Sequence, residues 1–248
     1  MIILSILFFI TAILYSSVGF GGGSTYLALL LIWEIPYLIF PLIALICNVI
    51  VVSGNSFNYV RAQNHNFSLL IPFLLGSVPM AFLGGTLIIQ KEIFEILLFI
   101  VLTIAGFLLL INNRSYEEKN IKTQKLHFLV ALIIGSILGI ISGVIGIGGG
   151  IFLSPILFLF KAEKPKVIST TASLFILVNS VSGILGQLTK TNTLSEVLNY
   201  LPLFLSVFVG GLIGNYLNLK VFSSRLLAII TSILVIFVAI RMGLRIFT

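Results

Sequence analysis

Ten consecutive residues, Gly143 to Phe152 (GVIGIGGGIF), place five glycines inside one of the most apolar stretches of the chain. Glycine is the residue that most readily leaves helical geometry. Backbone that leaves the helix in hydrocarbon loses its hydrogen-bond partners, so such a break is tolerated only where protein buries it or where it lines a cavity. This constrains the fold more than any other feature of the chain.

The apolar setting is general. Of 248 residues, 59% are hydrophobic and 8% charged, with a mean hydropathy of +1.23, where a soluble domain carries roughly 25% charged residues. The composition predicts an all-α polytopic membrane protein. The longest polar run, Asn112 to Gln124, reads as a loop. The N-terminal MIILSILFFITAILYSS lacks the basic region of an export signal and reads as a membrane helix. The single cysteine, Cys47, excludes an intramolecular disulfide and suits packing.

A second glycine run matches the first. Val18 to Ser24 (VGFGGGS) and Ile145 to Ile151 (IGIGGGI) share the pattern apolar-G-x-G-G-G; each follows a helix-length apolar run and precedes a short one. Val52-Ser-Gly54 recurs as Val181-Ser-Gly183, and Ala81 to Gly84 resembles Gly211 to Gly214, in the same order. Internal duplication accounts for this: repeat 1 over 1–112, a cytoplasmic loop over 113–125 and repeat 2 over 126–248. Each repeat is expected to hold a glycine-broken helix and three transmembrane helices. The expected segments are Met1 to Val18, Ser24 to Trp33, Pro36 to Tyr59, Ser68 to Ile89 and Ile93 to Ile111. The second half gives Leu126 to Ser142, Ile151 to Phe160, Pro165 to Leu188, Val197 to Leu217 and Ser224 to Ile246. A span needs roughly 20 apolar residues, so Ser24 to Trp33 and Ile151 to Phe160 are half-helices.

Two topologies remain, and the basic residues separate them. If each broken segment crosses once, the repeats are parallel, and six Lys or Arg residues face eight across the membrane. If each dips in and returns, the repeats are inverted. Arg61, Arg114, Lys119, Lys122, Lys125, Lys161, Lys164, Lys166, Lys220 and Arg225 then share one side, against Lys91, Lys190, Arg241 and Arg245. Ten against four fits the positive-inside rule, and inverted repeats with broken helices recur in transporters. The inverted arrangement is preferred, although the first arm of each dip is nearly long enough to span.

A helix starting at Ser24 or Ile151 points unpaired N–H groups and a partial positive charge at the preceding turn. An anion can approach closely where no side chain intervenes. Candidate substrate-binding residues are Gly19, Gly21, Gly22, Gly23, Ser24, Thr25 and Asn48 in the first half. In the second they are Gly146, Gly148, Gly149, Gly150, Thr170, Thr171, Ser173 and Asn179. All side-chain groups in this set are neutral hydrogen-bonding groups, which suit an oxyanion. A cation site or proton relay more often uses an intramembrane carboxylate; all seven carboxylates are glutamates near segment ends.

Plainer readings apply to parts of this set. The spacing of Gly135, Gly139 and Gly143 suits helix packing, and single Ser or Thr hydroxyls commonly bond back to their own helix. Asn48 and Asn179 need partners, which a neighbouring helix can supply. The glycine runs lack the Lys-Ser/Thr of a P-loop, and the basic residues form no nucleic-acid face. With two peripheral histidines, no Asp and one Cys, a membrane enzyme is disfavoured. No catalytic residue, cofactor or metal site is expected.

The pair SSVGFGGGSTYLALLL and SGVIGIGGGIFLSPIL, the latter followed by STTASLFILVNSVSG, resembles the sulfite exporter TauE/SafE family of membrane permeases over essentially the whole chain. The resemblance implies a bacterial or archaeal cytoplasmic-membrane permease for small sulfur-containing or organic anions, often moving them outward. The matching positions are Gly19 and Gly21 to Gly23, then Gly146, Gly148 to Gly150 and Pro155, with Ser169 to Ser173 at the start of the next helix. The first copy has Ser24 and Thr25 where the second has Ile151 and Phe152, and lacks a proline equivalent to Pro155, so the halves are expected to do unequal work.

The leading expectation is a secondary transporter, an exporter of a small anion such as sulfite or an organosulfonate. Its partners are that substrate and membrane lipid, with no nucleic acid. A permease for a neutral or cationic solute and a non-transport assembly subunit stay open. The oligomeric state is also open, a homodimer being one option.

Overall fold

The computed structural model describes residues 1–111, 123–190 and 193–218, with 232–233, 236–237, 239–240 and 243–244. Most of the expected cytoplasmic loop, 112–122, and of the last expected span, Ser224 to Ile246, lies outside the described residues.

The chain forms α1 (Ile2–Val18), α2 (Gly23–Ile32), a 3-10 turn (Tyr37–Ile39), α3 (Phe40–Arg61), α4 (Phe67–Thr86) and α5 (Lys91–Ile111). There follow α6 (Phe128–Ile145), α7 (Gly150–Leu159), α8 (Pro165–Gln187), α9 (Thr193–Leu198) and α10 (Leu201–Asn218). Among the described residues four segments are long and apolar enough to cross a membrane: Tyr37–Arg61, Phe67–Thr86, Phe128–Ile145 and Lys166–Gln187. Local chemistry sets their starts. Pro41 and Pro165 occupy first turns of α3 and α8, where a missing N–H does no harm. Asn66 caps α4 by accepting from the Leu69 amide at 3.2 Å. The expected single segment Val197 to Leu217 is divided, because α9 ends at Leu198 and α10 begins at Leu201.

Both glycine runs turn the chain back. The Tyr26 ring, in the first turn of α2, stacks on Phe8 with centroids 4.7 Å apart. Phe8 lies ten residues before the end of α1, a rise of about 15 Å, so α2 must descend alongside α1 for the rings to meet. In the second run, a methyl on Gly149 would lie 3.5 Å from the Leu138 carbonyl oxygen, seven residues before the end of α6. Past α7, the Lys161 carbonyl accepts from the amide of Gln124, which precedes α6, at 3.0 Å. The α6–α7 pair therefore enters and leaves at one end of the bundle. Glu163 joins that end by accepting from the Asn66 side chain at 2.9 Å. Arg61, Lys125, Lys161, Lys164 and Lys166 thus gather at the same end.

Small residues fix the helix directions. Gly135, Gly139 and Gly143 of α6 meet the backbone of Phe73, Ser77 and Ala81 in turn, so α6 and α4 run parallel. Gly210 and Gly214 of α10 meet the Phe9 and Ile13 carbonyls of α1, so these two are also parallel. Ser182 of α8 donates to the Val78 carbonyl of α4 at 2.6 Å, and Gly186 meets the Phe82 carbonyl; α8 follows α4. Val51 and Gly54 of α3 face Gly211 and Asn215 of α10; α3 follows α10. The two sets oppose each other where α3 crosses α8, with Ser56 beside Ser173 and Leu45 beside Gly183. Accordingly α1, α3 and α10 run one way and α4, α6 and α8 the other.

The half-helices α2 and α7 are almost wholly buried. Leu27, Leu30, Leu42, Leu153, Leu157 and Phe175 belong to the core around them. By contrast Ile133, Ile137, Leu205 and Phe208 are exposed, as suits side chains facing acyl chains.

Candidate functional site

The geometry of the two breaks begins with glycine. Gly19 ends α1 at φ 85°, and Gly146 ends α6 at φ 93°. The caps that start the half-helices, Gly22 and Gly149, are left-handed too, at φ 85° and 77°. L-residues with a Cβ rarely adopt such angles, so the caps on both sides of each break need glycine; the second break carries a further left-handed glycine, Gly148 at φ 82°, where Gly21 of the first is not left-handed. No side chain caps either half-helix. Among the described residues the amides of Gly23, Ser24, Gly150 and Ile151 find no acceptor.

These ends meet. A methyl on Gly23 would lie 2.8 Å from the Ile147 carbonyl oxygen and 2.8 Å from Asn48 Nδ2. One on Gly148 would lie 2.8 Å from the same Nδ2 and 3.1 Å from Ser180 Oγ. Asn48 therefore stands between the two breaks, donating from Nδ2 to the Gly146 carbonyl at 3.3 Å. Its Oδ1 packs on Gly21 without a hydrogen bond. Asn179 lies against Gly149, and among the described residues neither its amide nitrogen nor its oxygen has a partner; nor does Ser180 Oγ. Asn48 and Asn179 fall in the middle third of α3 and α8. Because α2 runs from that level towards one end and α7 towards the other, their uncapped N-termini face each other.

Asn48, Asn179 and Ser180 are each 0% exposed. Closing contacts flank them on both sides. At the end holding Arg61, Ser56 and Ser173 share a hydrogen bond of 3.1 Å, and Asn55 donates to the Ser16 carbonyl at 2.8 Å. Towards the other end Gln187 donates to the Gly143 carbonyl at 2.7 Å, and Gly146 packs on the backbone of Pro41.

Of the residues expected at the site, Gly21, Gly22, Gly23, Asn48, Gly148, Gly149, Gly150 and Asn179 come together. Gly19 and Gly146 act as helix ends, packed on Tyr59 and Pro41. Ser24 and Thr25 engage the Tyr15 hydroxyl at 3.2 and 2.7 Å. Thr170 and Thr171 bond back to the Lys166 and Val167 carbonyls of their own helix. Ser173 meets Ser56 rather than a glycine turn. Sequence reasoning missed Tyr15 and Tyr26, buried aromatic hydroxyls on either side of the first break. Their placement four residues before Gly19 and three after Gly23 was the available signal. Among the described residues no cluster of His, Cys, Asp or Glu could hold a metal ion.

The sequence model of the family described as "Sulfite exporter TauE/SafE" matches residues 4–242. A probable membrane transporter protein of Sinorhizobium fredii is 28% identical over 238 residues, covering 93% of this chain and 93% of that protein. A probable membrane transporter protein of Methanocaldococcus jannaschii is 26% identical over 249 residues, covering 94% and 91%. No solved structure matches the chain. The family match includes both glycine breaks, the helices that frame them and the facing half-helix ends: the chain belongs to the sulfite exporter TauE/SafE family and is a membrane transporter.

Proposed function

We propose that the chain is a secondary transporter, acting as an exporter, for a small anion such as sulfite or an organosulfonate, in the cytoplasmic membrane of a bacterium or archaeon. The observation that carries this reading is the meeting of two uncapped helix N-termini across Asn48 in mid-bundle. Each end offers N–H donors and about half a positive charge, and no carboxylate is present within α1, α2, α3, α6, α7 or α8 to favour a cation instead. The sequence contains no P-loop, which suits a drive from the membrane potential, a proton or a co-ion; the lack of a central carboxylate favours the membrane potential or the anion's own gradient in this reading.

Two inverted repeats, 1–112 and 126–248, form the moving parts in this reading. Support comes from the opposed directions of α1 and α6, and from the paired left-handed glycines. Transport then proceeds by parting the contacts on one side of the buried site while those on the other hold. A cysteine in place of Glu163, beside the residues of the basic end, is expected to react with an impermeant reagent only after permeabilisation.

The test of function is flux of labelled sulfite and small organosulfonates into proteoliposomes at imposed potentials of either sign. Saturable flux that responds to the potential is expected. Gly23 lies outside the left-handed region, so Gly23→Ala is not strained by its own φ, and its methyl enters between the two breaks, where the Ile147 carbonyl and Asn48 must shift to admit it. Flux should fall at least about tenfold while the protein stays folded. Absence of anion flux in folded wild-type protein, or competition by a cation alone, would overturn the reading.

A further inference from the structure

Anions need donors, yet the site also presents unused acceptors. Asn48 is oriented by its own hydrogen bond: Nδ2 donates to the Gly146 carbonyl, so the atom against Gly21 is Oδ1, an acceptor without a donor. Asn179 brings a second case that does not depend on which way its amide is turned. Both of its polar atoms lack partners among the described residues, and whichever faces Gly149, the group offers a donor nitrogen and an acceptor oxygen. Ser180 Oγ, also without a partner, stands on the same turn beside Gly148. These side chains are fully buried, and a buried amide left unpaired is costly to the fold.

A fully deprotonated oxyanion satisfies the main-chain amides and leaves both amide oxygens bare. A metal cation satisfies the oxygens but faces two positive helix ends. One ligand class serves both kinds of group, an anion that still carries a hydroxyl: its charged oxygens take the amides and its single O–H takes one of the two amide oxygens. Resting on the anion-site reading above, we infer that the site selects monoanions bearing an O–H group. The charged oxygens meet the amides at the starts of α2 and α7, and the hydroxyl donates to Asn48 Oδ1 or to the Asn179 oxygen. A site built to bond a hydroxyl rejects the analogue that lacks it far more strongly than an apolar pocket distinguishes sizes.

The test compares ions matched in shape and charge in proteoliposomes of the full chain. Hydrogen carbonate and nitrate are both planar monoanions and differ by the hydroxyl; hydrogen sulfite and methanesulfinate differ by hydroxyl against methyl. Wild-type flux should favour the hydroxylated member of each pair by on the order of tenfold or more. Thermal protection of the detergent-solubilised protein should follow the same order. Asn179→Leu is expected to bring the ratios towards one. The wild-type ratios stand as a test even where that variant fails to fold. Equal flux and protection within both pairs would overturn the inference and leave anion binding intact, the amides then being held by water. Flux that is equal within pairs but requires sodium would overturn it too, by giving the oxygens to a cation. No flux or protection with any of the four ions would overturn the anion-site reading itself.

Discussion

Asn48 and Tyr15 show how single polar groups tie the breaks into the bundle. Asn48 reaches both breaks from mid-helix, whereas Tyr15 spans only the first, holding α1 to the opening turn of α2 through Ser24 and Thr25. Removing the Tyr15 hydroxyl leaves two buried hydroxyls short of a partner. Tyr15→Phe should therefore lower stability by about 1–3 kcal/mol, read by thermal unfolding in detergent. The cause is checked by repeating the change in a Thr25→Val background, where the loss should shrink by about 1 kcal/mol. An equal loss in both backgrounds would place the effect elsewhere. The two tyrosines were easily passed over in the sequence because an aromatic ring in an apolar run looks like packing, and only their placement around the break marked them; the Tyr15 hydroxyl finds its partners only once α2 folds back. Asn48, Asn179 and the glycines were legible because amides and glycine runs are out of place in hydrocarbon unless something uses them. The threonines of α8 carried the same composition signal, but Thr170 and Thr171 spend it on their own helix.

Between helices, glycine has a second use that differs from its use in the breaks. Along α6, methyls on Gly135, Gly139 and Gly143 would run into the backbone of α4, which cannot yield as a side chain end can. In α10, a methyl on Gly211 would meet only Val51, at 3.6 Å, an ordinary contact. The two positions look alike in sequence and should behave oppositely. Gly139→Val is expected to destabilise by about 1–3 kcal/mol or to block folding. Gly211→Ala is expected to be neutral or to stabilise by up to about 1 kcal/mol through helix propensity. Comparing the thermal unfolding of the two variants checks this, and similar losses in both would refute the assignment of α4 as the partner of α6. Hydropathy made the long helices α3, α4, α6 and α8 legible, and the length of the short runs marked α2 and α7 as ten-residue pieces. A stripe of small residues, however, announces close packing without naming its partner. That α6 lies on α4 and α1 on α10, across the two halves, came only with the structure. The division of Val197 to Leu217 was also hidden, because the Asn199-Tyr200 turn is too short to interrupt the apolar pattern.

The assembled bundle holds its candidate site shut from both ends, which makes opening the central requirement for transport. The crossing of α3 and α8 is the natural place to look. These helices carry Asn48 and Asn179, run in opposite directions, and touch towards the basic end through the 3.1 Å contact of Ser56 and Ser173. If ligand leaves towards that end, α3 and α8 must separate there. The two Oγ atoms lie 3.1 Å apart, and the sulfurs of cysteines in their place would need to close to about 2.05 Å, a modest adjustment. The native Cys47 is buried on the same helix and offers little competition to an added oxidant. Oxidised Ser56→Cys/Ser173→Cys protein is thus expected to bind anion from the opposite side yet lose steady-state flux, with a reductant restoring it. Each single variant should transport under oxidising conditions as it does under reducing ones. Undiminished flux in the double variant, with the bond verified by mass spectrometry, would mean that α3 and α8 move as one body. The opening would then have to be sought between the half-helices and the paired helices around them.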